Sequence, residues 1–279
     1  TGYCPTDDNI AATEVDKETG IAWQGIVHDE NARFQGGEAF DAFLSEQEAW
    51  LPDFALFMAL KGENNSAAWY TWEDGLKFRK ARALNAAKKR LADEIRFYCF
   101  VQYLFDAQWQ ALRTYAHEAG ILIIGDVPIY VPYDSVDVWA DPGLFQMDED
   151  LTPTRVAGCP PDAFSDDGQL WGNPLYNWAE MEKDGFSWWK QRLSFALELF
   201  DGVRIDHFRG FAGYYNIPYG EATARNGKWD SAPGLALFRT IREKYPKAKI
   251  IAEDLGFITE DVRELLTDTG FPGMKMLHF

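Results

Sequence analysis

Three short apolar runs, each ending on a carboxylate, set the rhythm of this chain. Ile121-Leu122-Ile123-Ile124-Gly125 leads into Asp126, Gly202-Val203-Arg204-Ile205 into Asp206, and Lys249-Ile250-Ile251-Ala252 into Glu253. The runs are β-branched and do not alternate with polar residues, the pattern of strands buried on both faces of a parallel sheet. Helical spacing fills much of the rest. Ala39-Phe40-Ala42-Phe43 and Phe54-Leu56-Phe57-Leu60 form apolar faces. From Lys88 to His117, Leu91, Ile95, Tyr98, Gln102, Phe105, Trp109 and Leu112 recur at three- and four-residue steps. Gly120 is placed to stop that helix. Further helices are predicted over 186–200, 235–245 and, capped by Thr259, 260–266. Met274 to Phe279 has the composition of another strand.

Between Asp126 and the helix at Phe186 the periodicity fades. Pro128, Pro132, Pro142, Pro153, Pro160, Pro161 and Pro174 punctuate this stretch, which reads as a long loop. A loop of that length inside a compact domain is uncommon unless it is functional. The expected organisation is an unassigned polar segment over 1–37, a helical insertion subdomain over 38–119, and a partial (β/α) barrel over 120–279 with a long loop at 126–185. A βαβ rhythm that sets acids at the carboxyl ends of strands is how such a barrel presents catalytic side chains at one rim. The chain therefore reads as an enzyme of the α/β class.

Charge and composition narrow the partners. With 44 acidic against 27 basic residues the net charge is -17. That balance disfavours nucleic acid, which requires clustered Lys and Arg, and a neutral substrate fits better. The 11 Trp, 12 Tyr and 20 Phe exceed what a core requires. Several lie in Gly- and Pro-rich segments, where flat apolar faces suit sugar rings. Cys4, Cys99 and Cys159 form no CxxC pair and no bridge framework, so a reducing cytoplasm is expected. No apolar run approaches the roughly 20 residues of a membrane helix, and Thr1-Gly2-Tyr3-Cys4-Pro5 lacks the basic and apolar regions of a signal peptide. The missing initiator Met makes a start inside a longer chain the expectation.

Asp206 and Glu253 are separated by about one βα unit plus an insertion, so they can occupy neighbouring strands at one rim. Two carboxyls flanking a glycosidic bond can act as nucleophile and acid/base in a retaining double displacement. Arg204 precedes Asp206 by two and leaves the strand on the same side, where it can keep that carboxylate ionised. Glu253 has no basic residue beside it and can hold a proton to donate. The plainer alternative is that these acids cap helices or pair with Arg at strand ends. Three at equivalent strand ends weigh against it.

These segments carry a resemblance. Gly125-Asp126-Val127-Pro128-Ile129-Tyr130-Val131, Pro160-Pro161-Asp162-Ala163-Phe164-Ser165, Gly168-Gln169-Leu170-Trp171-Gly172-Asn173-Pro174, Val203-Arg204-Ile205-Asp206-His207-Phe208-Arg209-Gly210-Phe211 and Ala252-Glu253-Asp254-Leu255-Gly256 resemble, in order, the 4-α-glucanotransferase (amylomaltase) family. This is glycoside hydrolase family 77 of the α-amylase clan, and the likeness runs from about Phe40 to Phe279. The resemblance implies a (β/α)8 barrel with helical insertions, acting on maltooligosaccharides and α-1,4-glucans with no required metal or organic cofactor. It implies Asp206 as nucleophile and Glu253 as general acid/base. Arg204 and His207 match residues that flank the nucleophile and hold it and the donor sugar, and Asp126 matches a substrate-binding acid at the rim of the third barrel strand. The stretch from Pro160 to Pro174, with Asp162, Phe164, Trp171 and Asn173, matches the loop over the acceptor side, and Asp254 matches a further substrate contact. A plain α-glucan hydrolase and a non-catalytic glucan-binding fragment stand as alternatives.

Two departures from the family pattern matter. Ala163 stands where an aromatic residue is commoner, leaving Phe164 alone there. The family's third catalytic Asp, in a His-Asp-Asn context, and its first strand with Ser-Pro-Tyr have no counterpart, so the chain reads as the middle of a longer enzyme. Structural readings also exist for His207 as a strand-end hydrogen-bonding group, Trp171 as a loop anchor and Asp254 as a helix N-terminal acid. Cys159 lacks a His or basic neighbour and is assigned no chemistry.

Overall fold

In a computed structural model of the protein, residues 37–163, 165–256 and 258–276 are described. The helices are α1 (Glu38–Glu46), α2 (Leu51–Glu63), α3 (Asp74–Lys77), α4 (Ala81–Arg90), α5 (Ala92–Glu118), α6 (Val136–Ala140), α7 (Trp178–Lys183), α8 (Ser187–Leu199), α9 (Gly234–Lys244) and α10 (Glu260–Thr269). The strands are β1 (Ile124–Val127), β2 (Arg155–Cys159), β3 (Gln169–Pro174), β4 (Gly202–Ile205), β5 (Gly213–Pro218), β6 (Lys228–Ser231) and β7 (Ile250–Ala252).

The chain divides into two compact units. One joins the described residues up to Ser66 with Ala81–Gln108, and the other joins Ala67–Lys80 with the chain from Trp109 onward. The first is all helical. Its α2 begins with a proline in the first turn and buries Leu51, Phe54, Leu56, Phe57 and Leu60. Phe40 of α1 meets Phe100 and Tyr103 of α5 with ring centroids 5.9 and 5.5 Å apart. The continuous helix expected over 88–117 is instead α4 and α5, parted at Leu91, although backbone bonds from Leu91 to Ala87 and from Ile95 to Leu91 bridge the break.

The second unit holds two sheets. β1, β4 and β7 form a parallel sheet in the order β1-β4-β7, pairing Gly125 with Val203 and Val203 with Ile250. β4 and β7 meet the expectation of burial: Val203, Ile205 and Ala252 have no exposed surface, and Ile250 has 3%. β1 does not. Ile121 and Leu122 are each 57% exposed and Ile124 49%. The reason is its place at the sheet edge, where no strand pairs its outer side among the described residues.

The expected loop at 126–185 is also corrected. It contains α6, β2, β3 and α7, and β2 and β3 join β5 and β6 in an antiparallel sheet of order β3-β2-β5-β6. Close backbone approach holds this sheet together. A Cβ on Gly158 would lie 2.1 Å from the Gln169 carbonyl oxygen, and Gly168 turns the hairpin at φ +68°. The helices predicted over 186–200 and 235–245 are α8 and α9. Thr259 stands at the start of α10 without a side-chain capping bond. The strand expected from Met274 is not formed over 274–276, and 277–279 lie outside the described residues.

Asp201 fastens the parallel sheet to α5. Its carboxylate accepts from the Ile123 backbone N–H at 2.8 Å, from Arg113 at 3.0 Å, and pairs with His117 at 2.9 Å. The Ile123 N–H first, and His117 after it, hold this carboxyl well below its ordinary range. Among the described residues no helix is long and apolar enough to cross a membrane.

Candidate active site

The parallel ladder continues one residue past its strands. Asp206 N–H donates to the Val127 carbonyl at 3.0 Å, and Glu253 N–H to the Ile205 carbonyl at 3.0 Å. Backbone pairing thus brings Asp126, Asp206 and Glu253 to the same carboxyl end of adjacent strands.

Arg204 bridges two of them. It lies opposite Asp126 in the register, and its side chain emerges on the same side as that of Asp206 two residues on. One guanidinium nitrogen reaches Asp126 at 2.7 Å and the other reaches Asp206 at 2.6 Å. Burial alone would lower the Arg204 pKa, but its bonds to both carboxylates carry it above the ordinary value. The remaining nitrogen, Nε, faces the Met274 sulfur at 3.2 Å.

Met274 is itself held from the end of β7. Its backbone N–H donates to Asp254 at 2.7 Å, and a Cβ on Gly273 would come within 2.2 Å of that carboxylate. Asp254 therefore steadies the segment that backs Arg204. Sequence reasoning missed Met274, because no periodicity or charge marks a thioether whose work is contact with a guanidinium. The Gly273-Met274 pair was the available signal, since only glycine fits against Asp254.

Glu253 is fixed by backbone donors. Its Oε2 accepts from the His207 N–H at 2.9 Å and its Oε1 from the Leu255 N–H at 2.8 Å. The first donor is aimed by strain, since His207 adopts a left-handed conformation at φ 51°. Burial, assisted by the Arg209 charge and opposed by Asp206, pushes the His207 pKa down to about 4. The ring is neutral at neutral pH and can donate a hydrogen bond without bringing charge.

The antiparallel sheet supplies a wall. Trp171 of β3 meets the His207 ring edge-on at 4.8 Å and an interplanar angle of 88°. Tyr130 packs behind it at 6.2 Å. Asn173 donates its amide N–H to the Val131 carbonyl at 2.9 Å, tying β3 to the segment after β1. Asp162 accepts from the Ser165 backbone N–H at 2.9 Å and closes the turn at the hairpin tip. Phe164 lies outside the described residues. The structure brings together Asp126, Arg204, Asp206, His207, Glu253 and Trp171, with Asp254 one contact removed. Asp162 and Asn173 have local bonds that account for their orientation.

A parallel sheet with three carboxylates at its carboxyl end, two of them bridged by one arginine, sets acids where α/β enzymes carry their catalytic side chains. The sequence profile of the 4-alpha-glucanotransferase family, glycoside hydrolase 77, matches residues 13–279, and the chain belongs to that family. It is 51% identical over 250 residues to a 4-alpha-glucanotransferase of Thermus thermophilus, covering 90% of this chain and 50% of that protein. It is 50% identical over 246 residues to one from Aquifex aeolicus, covering 88% and 50%. Among solved structures, the amylomaltase from Streptococcus agalactiae in complex with acarbose superposes with a TM-score of 0.82 at 47% identity, covering 85% of this chain and 48% of that one. The chain spans about half the length of the curated relatives it matches.

Proposed function

We propose that the chain carries the catalytic centre of a 4-α-glucanotransferase, moving α-1,4-glucan segments between maltooligosaccharides by a retaining double displacement. The observation that carries this reading is the Arg204 fork across Asp126 and Asp206, with Glu253 on the next strand. Asp206 attacks the anomeric carbon as the glycosidic bond breaks, and Glu253 gives its proton to the leaving oxygen. Glu253, now a carboxylate, takes the proton of an acceptor hydroxyl, which attacks the same carbon and releases Asp206. The backbone donors on Glu253 hold its carboxyl in place through both steps.

The family membership and the acarbose complex of a relative support an α-glucan substrate. Asp126, Arg204 and His207 are assigned to the donor sugar. Trp171, Asn173, Asp162 and Phe164 are assigned to the glucan on the hairpin side, and Asp254 acts through Met274. The reading includes a (β/α)8 barrel to which β1, β4 and β7 contribute, a helical insertion over 38–119, and a cytoplasmic setting. Incubation with maltotriose, using the protein at the length of its relatives, tests the activity. Glucose and longer maltooligosaccharides at constant total reducing ends are expected. Rising reducing ends without longer products would mean hydrolysis and overturn the proposal.

A further inference from the structure

Beyond the carboxylates lies a cavity of about 280 Å³ that the chemistry above does not use, lined by Arg209, Gly213, Trp229, Asp230, Ser231, Thr259 and Asp261. Its walls hang from the two strand ends that carry Asp206 and Glu253. Arg209 follows His207 by two residues, in the 3-10 turn Phe208–Phe211 that leaves β4. Thr259 and Asp261 stand where the chain from β7 enters α10. The β5–β6 hairpin supplies the rest.

The lining has the chemistry of a sugar subsite. Trp229 is 41% exposed, and the Arg209 guanidinium lies over its ring at 3.9 Å, with Tyr215 edge-on at 5.2 Å. Arg209 takes one face of the indole, which lines the cavity and remains partly exposed. Asp230 and Asp261 offer carboxylate oxygens that accept from hydroxyls. Asp230 is itself steadied by Asn216 and by Lys228 at 3.4 Å. One guanidinium against two carboxylates leaves the lining short of positive charge, which disfavours phosphorylated or sulfated sugars and leaves neutral ones. The volume, below that of most ligand pockets, suits one ring and not a chain.

We infer that this cavity is a remote acceptor-side subsite that takes a single neutral hexose unit of a glucan chain, stacked on Trp229 and hydrogen-bonded by Asp230, Asp261 and Arg209. The inference rests on the proposed transferase reading. The side follows from the lining: its walls come from the chain that leaves β4 and β7 and from β5 and β6, and none comes from β1 or the segment after it. The group that protonates the leaving oxygen faces the leaving and accepting chains, so a site beyond it meets the acceptor.

The test uses the protein at the length of its relatives, amylose as donor, and labelled glucose or labelled maltohexaose as acceptor. Trp229→Ala and Asp261→Asn should each lower the ratio of kcat/KM for maltohexaose over that for glucose, by about three- to ten-fold for the lost ring contact. Trp229→Phe, which keeps a flat apolar face, should recover most of the ratio. Asp261 is exposed, so Asp261→Asn is expected to keep the fold and decides the matter if Trp229→Ala unfolds. A ratio unchanged in both variants, or equal losses with both acceptors, overturns the subsite and leaves the transferase reading standing. No transfer to either acceptor by the unsubstituted protein overturns the reading beneath it.

Discussion

The two sheets of the second unit divide the labour of the site. The parallel sheet provides charge: its backbone ladder runs past the strand ends and fixes Asp126, Arg204, Asp206 and Glu253 relative to one another. The antiparallel sheet provides faces, in Trp171 and Trp229. The first is built from β-branched residues that need only burial and register. The second depends on positions without side chains, above all Gly158, where two backbones touch. On the proposed reading the reacting groups sit on the sheet that needs only burial and register, and the glucan-facing rings sit on the one that depends on close backbone approach.

The sharpest way to break this division is at Asp206. Asp206→Asn removes the proposed nucleophile yet keeps the side chain's shape and a hydrogen bond to Arg204. Transfer from maltotriose should fall at least about a thousand-fold, as expected when a covalent nucleophile is lost. Binding of maltoheptaose by calorimetry should change only a few-fold. Retention of a tenth of the activity would remove the charge-bearing role from the parallel sheet.

Next in size comes a pair of glycines, one in each sheet. A Cβ at Gly158 or at Gly125 would lie 2.1 Å from its nearest neighbour, but that neighbour is the Gln169 carbonyl in one case and the Phe200 ring in the other. A backbone pinned in a sheet cannot yield, whereas a ring can shift. Gly158→Ala should cost about 3 kcal/mol and Gly125→Ala about 1–2 kcal/mol, read from urea unfolding. Equal costs would show that the two sheets do not differ in how tightly their backbones are packed.

How much of this was legible follows the same division. The parallel strands announced themselves because a strand buried on both faces must be continuously apolar. That rule misled only at β1, whose outer side has no partner strand among the described residues. The antiparallel strands were hidden. Arg155–Cys159 and Gln169–Pro174 neither alternate nor run apolar, and their prolines and glycines read as loop. Pairing with β5 turned them into sheet, and sequence periodicity cannot see such a distant partner. Asp126, Arg204, Asp206 and Glu253 were legible from strand-end position. Met274, Arg209 and Trp229 were not, because each acts through a contact made across the fold.

His207, where the two sheets meet, makes the comparison titratable. Its folded pKa of about 4 lies below the ordinary value near 6.5. A depressed value means that the unfolded chain takes up the proton first. Its contribution is therefore complete above about pH 6.5 and is lost as the pH falls toward 4. The loss should reach about 2–3 kcal/mol by the foot of that window. Asp201 is also depressed, from its own carboxylate range, so its contribution disappears only at more acid pH. His207→Gln should erase the upper window and leave the lower one. The same loss of stability between pH 6.5 and 4 in the variant would instead place it on other groups.

The smallest expected effect is at Trp171, and it separates the two sheets most finely. The indole meets the His207 ring edge-on, packs against Tyr130 and donates its N–H to Gln169. Trp171→Ala should leave the nucleophile and its fork in place while removing a flat face from the hairpin side of the site. A lost aromatic contact of about 1 kcal/mol corresponds to a several-fold fall in the ratio of transfer to hydrolysis. Longer maltooligosaccharides measured against new reducing ends from maltotriose give that ratio. The same substitution uncovers the His207 ring, whose low pKa comes chiefly from burial, so the upper pH window should shrink as the pKa rises toward its ordinary value. Both changes together mean that one indole shapes the sugar surface and shields the histidine. A shrunken window with the product ratio unchanged would limit Trp171 to shielding, and the acceptor face would then have to be sought elsewhere on the antiparallel sheet.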